Sequence, residues 1–176
     1  MWAGRALLVC LLLAMPAAAQ ELPPAGPPVL IIDSERLFFE TEYGRRIASD
    51  LAQKSAELQA ENDAIAAELT EEERSLTQRR ASMEPDDFRA EATAFDVRVQ
   101  EVRRDREAKT VELQTEATQA RAAFEERVQA IVANIMLERG AAMVLEQRNV
   151  VLSVRSANIT DDAVRRIDEM LGDGTQ

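Results

Sequence analysis

The stretch from Met83 to Lys109 holds the side chains with the most to offer chemically. Met83, Phe88, Phe95 and Val99 could present a loose apolar surface to a partner. Arg98, Arg103, Arg104, Arg106 and Lys109 crowd the same stretch, and a guanidinium matches the geometry of a phosphate. Each set has a plainer reading. Apolar residues at helical spacing usually pack their own helix against a neighbour. Glu101, Asp105 and Glu107 lie among the basic residues, as on a solvated face crossed by ion pairs.

Covalent and metal chemistry find little support. The 176 residues contain no His and one Cys, Cys10. Ser-His-Asp and Cys-His catalysis, His or Cys zinc sites and disulfide scaffolds are excluded once Cys10 is removed with the leader described below. Neither G-x-x-x-x-G-K-[ST] nor G-x-G-x-x-G occurs, so no nucleotide cradle is expected. With 21 Lys+Arg against 32 Asp+Glu, net −11, the chain lacks the basic footprint of a nucleic-acid binder. No enzyme, no cofactor, no metal and no nucleic acid are expected. The charged, aromatic-poor composition is that of long helices.

The N-terminus reads as an address. Met1–Arg5 carries one positive charge, Ala6–Ala14 is an apolar run of nine, and Met15-Pro16 precedes Ala17-Ala18-Ala19. That order is a secretory signal peptide cut near Ala19, and its apolar run is too short to span a membrane. Residues 1–19 are therefore assigned to the signal peptide, leaving an exported, soluble chain. Residues 20–28 form a linker, since Glu21–Pro28 holds four prolines and a glycine.

Residues 29–44 open the ordered part. Val29, Leu30, Ile31 and Ile32 make a continuous apolar run, predicting a strand covered on both faces. Ser34 suits the N-cap of a following short helix, and Gly44 is expected to bend it. Residues 45–139 predict an arm. Ile47, Leu51, Leu58, Ile65, Leu69, Leu76 and Met83 fall at spacings of four and seven, a narrow helical seam. A turn at residues 84–87 around Pro85 leads into a second unbroken helix, with Asp86 and Asp87 in its first turn. Its stripe runs from Phe88 through Ala92, Phe95, Val99, Val102, Arg106, Lys109 and Leu113 to Ile135, alternating threes and fours. Two such helices make an antiparallel hairpin.

Gly140 is placed to close that hairpin in the left-handed conformation. Residues 140–171 then predict a β-hairpin, from Met143, Val144 and Leu145 to Val151 and Leu152, followed by a helix from Thr160. Residues 172–176 are a tail. Asp33, Ser34, Asn158 and Thr160 read as caps and turn formers. The fold class is α+β: a small β-rich oligomerisation head bearing a long antiparallel helical hairpin. Short strands leave open edges and a small core. Association through Val29, Leu30, Ile31, Ile32, Val144, Leu145, Val151 and Leu152 would remedy both.

The signal peptide, V-L-I-I-D-S-E-R-L-F at Val29–Phe38, Gly44, the hairpin, A-M-V-L-E…V-V-L-S-V and N-I-T-D-D-A-V-R-R-I-D-E-M-L at Asn158–Leu171 together resemble the Skp/OmpH family of periplasmic chaperones. The resemblance implies a homotrimer whose arms enclose a cavity. It also implies ATP-independent holding of unfolded outer-membrane β-barrel proteins in the periplasm. Phe95-x-x-Arg98…Asp105-Arg106-x-x-Lys109 resembles in part the family's lipopolysaccharide motif, with Gln100 and Ala108 among the neutral departures. This chain is also acidic where the best-known members are basic: Ser34–Gln78 holds 5 basic and 11 acidic residues. From a different class, an exported coiled-coil spacer docking on a partner's helices remains the alternative. A second apolar stripe outside the seam, which such docking needs, is not found.

Overall fold

A computed structural model describes residues 28–175. The expected signal peptide and all of the expected linker except Pro28 lie outside the described residues. The architecture is α+β, a small head from which one long helical hairpin projects.

Strand β1, Val29–Ile32, buries Leu30, Ile31 and Ile32, as its unbroken apolar run requires. Helix α1, Ser34–Glu40, is capped by Asp33, which accepts from the Arg36 N–H at 3.0 Å. Ser34 is thus the first helical residue, and its hydroxyl donates instead to Glu146 at 2.6 Å. Helix α2 spans Glu42–Arg79. The break before it lies at Thr41, in extended conformation and fully buried, not at Gly44 as expected. The Thr41 hydroxyl donates to the Leu37 carbonyl (2.7 Å) and accepts from the Gly44 N–H (3.2 Å), so it ends one helix and starts the next.

Gly44 serves a different need. A Cβ there would sit 1.8 Å from the Phe38 carbonyl oxygen, so glycine permits the close approach of α1 to α2. Gly44→Ala is expected to push the two helices apart at a cost of about 1–3 kcal/mol, read as a lowered melting temperature.

A single 3-10 turn, Arg80–Ser82, and extended Met83 and Glu84 reverse the chain. Helix α3, Pro85–Glu138, begins with proline in its first turn, so the turn lies a few residues earlier than expected. Gly140 (φ 61°) closes α3: its N–H reaches the Leu137 carbonyl and the Ala141 N–H the Met136 carbonyl, both at 3.0 Å.

The expected β-hairpin does not form. Strand β2, Met143–Glu146, pairs parallel with β1, Val29 opposite Met143 and Ile32 opposite Glu146. The chain then makes a 3-10 turn at Gln147–Asn149, and residues 150–154 join no ladder among the described residues. A tight hairpin needs left-handed turn residues, and none of Gln147, Arg148 and Asn149 has positive φ. The long hairpin itself supplies the crossover that parallel pairing demands.

Helix α4, Thr160–Leu171, completes the head. Ile159 holds its N-cap position; Thr160 accepts from the Asp33 N–H at 3.0 Å, tying α4 to β1. Asn158 accepts from the Thr160 N–H at 2.9 Å, the turn role expected of it. Ala163 and Ile167 are fully buried, whereas Met170 is exposed. The core joins Leu30, Ile32, Leu37, Phe38, Tyr43 and Ile47 to Phe124, Val128, Ile131 and Ile135 and to α4. The root of the arm is therefore part of the head.

Candidate functional site

Past Leu51 on α2 and Ala120 on α3 the head core ends. From there to the tip, Leu76 is the one buried apolar side chain among the described residues. Residues 52–79 of α2 extend the arm by ~42 Å at the helical rise. Apart from Leu76, the apolar side chains of the seam between α2 and α3 are half-buried, because two helices cannot enclose a core.

Met83, Phe88, Phe95 and Val99 all lie on this seam and are half-buried. At the tip, Phe88 and Met83 are overlaid by arginines. The Arg80 guanidinium lies 5.3 Å from the Phe88 ring centroid, and Arg79 contacts the Met83 sulfur at 3.8 Å. Met83 and Phe88 are thus covered by charges that can swing aside, since cation–π contacts at exposed sites are weak.

The basic residues divide. Arg98 donates to Glu72 at 2.5 Å and to Glu68 at 3.3 Å, and Lys109 pairs with Glu61. Arg106 inserts into the seam, where one guanidinium nitrogen meets the Asn62 carbonyl and Nε is buried without a partner. Arg103 and Arg104 are exposed and form no hydrogen bond or ion pair among the described residues. Lys54–Glu116 and Arg79–Glu91 complete a ladder of pairs crossing between the helices. The acidity of α2 and the basic stretch of α3 are thus partly matched to each other. Every rung is solvent-exposed, so each adds little and is screened by salt.

Arg79 holds the Glu91 carboxyl below the usual glutamate range. A carboxylate lowered in the folded state stabilises above that range, and the contribution is lost as pH falls through its folded pKa. The tip rung should therefore persist at mild acidity; a carboxyl NMR titration of Glu91 with a midpoint at or above 4.5 would contradict this.

The head presents the second feature. Of the eight residues assigned to association, Leu30, Ile31 and Ile32 are used inside the protomer. Val144 is half-buried, and Val29 and Leu145 are about 40% exposed. Val151 and Leu152 are 95% and 90% exposed, with Val154 beside them at 69%. Aliphatic side chains this open, in adjacent positions and next to a two-stranded sheet, form an unsatisfied patch. Sequence reasoning found the patch, but as half of a hairpin.

A small α+β head carrying a single long helical hairpin defines the class of fold. The family model described as outer membrane protein (OmpH-like) matches residues 28–167, and the chain belongs to that family. Among solved structures it is similar to an OmpH-like protein of Caulobacter crescentus CB15, assigned as an outer membrane chaperone. The TM-score is 0.79 at 18% identity, over 85% of this chain and 89% of that one. At that identity the likeness shows the fold. No curated protein matches the sequence closely enough to count as a relative.

Proposed function

We propose that this protein is an exported, ATP-independent holdase that keeps unfolded outer-membrane β-barrel proteins soluble on their way across the periplasm. The observation that carries the reading is the arm: a hairpin beyond the head with one buried apolar residue, its seam half-open and its helices joined by exposed ion pairs. Such a surface deforms cheaply and offers many weak contacts, which suits binding many sequences without a fixed pocket. Several arms around one cavity would raise the effective concentration of those contacts. Three copies, as the family resemblance implies, associate through the head by way of Val29, Leu145, Val151 and Leu152. Met83, Phe88, Phe95 and Val99 meet the client when the seam opens.

Dilution of a urea-unfolded outer-membrane barrel into the purified chain tests this. Light scattering by the client should stay low with a modest molar excess of chaperone. Scattering as high as without it would favour the spacer reading. The acidic α2 attracts basic client segments, so client affinity is expected to fall as salt rises.

Arg103 and Arg104 are the residues best placed to meet lipopolysaccharide or a membrane phosphate, because Arg98, Arg106 and Lys109 are engaged within the arm. Arg103→Glu with Arg104→Glu should therefore weaken lipopolysaccharide capture more than Arg98→Ala with Lys109→Ala. Equal capture by wild type and both variants would remove the lipid role.

A further inference from the structure

The residues after α4 do not trail into solvent. Gly172 (φ 52°) ends the helix, Gly174 (φ 78°) turns the chain again, and the segment comes back across the root of the arm. The Gly174 N–H bonds the Leu171 carbonyl at 2.8 Å, and Asp173 accepts from both the N–H (3.0 Å) and the hydroxyl (2.7 Å) of Thr175. The segment thus carries a turn of its own.

Two arginines, one from each arm helix, grip this short peptide. Arg46 of α2 donates from Nε to the Asp173 carbonyl at 2.6 Å, and also pairs with Asp50 at 3.1 Å. Arg127 of α3 donates to the Gly174 carbonyl at 3.1 Å. Both guanidiniums lie over the ring of buried Tyr43, 5.6 and 5.5 Å from its centroid. Gly174 rests against the same ring: a Cβ there would fall 2.1 Å from Tyr43 Cδ2. Close by, Asp168 of α4 accepts from the Glu42 N–H at 2.7 Å, at the first turn of α2.

We infer that residues 172–175 are a strap that ties the roots of α2 and α3 to each other and to α4, and so sets how stiffly the arm is mounted on the head. The location supports the role. Tyr43, Arg46 and Arg127 stand just on the head side of Leu51 and Ala120, where core packing gives way to the open hairpin. A joint there transmits the largest displacement to the tip, and backbone carbonyls gripped by guanidiniums resist both sliding and splaying. The sequence suits a strap: two glycines at left-handed φ let the chain fold back, and a side chain at position 174 could not lie against the ring. Strap and client holding are separate claims, because the strap concerns the stiffness of the mount whatever the arm contacts.

Hydrogen exchange on the full-length mature protein tests the strap through two variants. Gly174→Val removes the seat on Tyr43, and Arg46→Ala removes one grip together with its contact over the Tyr43 ring, leaving the apolar side chains of the core in place. Both are expected to raise amide exchange at least tenfold in the roots, residues 44–51 and 120–128, while residues 163–170 of α4 keep wild-type protection. Wild-type exchange at the roots in both variants would overturn the strap. So would an equal rise in α4, which would mark general loosening of the head.

Discussion

Replacing Val151 and Leu152 together by aspartate is expected to convert the protein into folded monomers. Both side chains are at least 90% exposed in the protomer, so the change should leave the protomer's own packing and helix content intact. In an oligomer closed through this patch each aliphatic group would be buried, and full burial of one is worth about 1.5–3 kcal/mol. Two per copy, plus the cost of burying a carboxylate in their place, amount to an affinity loss of at least about a hundredfold at 1.4 kcal/mol per decade. Sedimentation velocity at micromolar concentration reads the outcome directly. Association unchanged from wild type would mean that the exposed patch is not where the copies meet.

The second large effect is expected at the root of the arm. Phe124 is buried between α1 and α2, edge-on to Phe38 (ring centroids 5.2 Å apart, 87°) and tilted against Tyr43 (5.3 Å). Phe124→Ala should cost about 3–5 kcal/mol, since the site loses a whole ring and closes only in part. For a head with so small a core that is a large share of the total. The melting temperature should fall sharply, followed by circular dichroism. Phe95→Ala, on the half-open seam of the arm, should barely move the melt and should instead weaken client capture. If the two variants melt alike, the division into a folded head and a compliant arm fails.

The contrast between those phenylalanines shows what was legible in the sequence. Local signals were read correctly where one segment suffices: the unbroken apolar run of β1 and the left-handed Gly140 that closes α3, whereas Pro85, expected in the turn, starts α3. The hairpin itself followed from seam spacing. Long-range pairing was not legible. That β2 lies parallel to β1 depends on contacts more than a hundred residues apart, and the run at 150–154 looked like the nearer partner. Gly44 misled for a related reason. Glycine that bends a helix and glycine that lets another backbone approach are identical in sequence, and the close approach that would bring a Cβ at position 44 to 1.8 Å from the Phe38 carbonyl oxygen exists only in the packed structure. The engagement of Arg98 and Lys109 with α2 likewise needs the register between the helices, which places Glu72 and Glu61 opposite them. The strap at 172–175 gave no signal beyond its two glycines, because its partners, Arg46 and Arg127, are distant in the chain.

Copies of this chain are expected to join at the head and to hold an unfolded barrel protein among their arms. Multi-angle light scattering on residues 20–176, alone and after addition of a urea-unfolded outer-membrane barrel, measures both parts together. A trimer by itself and a single soluble complex heavier by one client chain are expected. A folded monomer, or a trimer that leaves the client to precipitate, would contradict this.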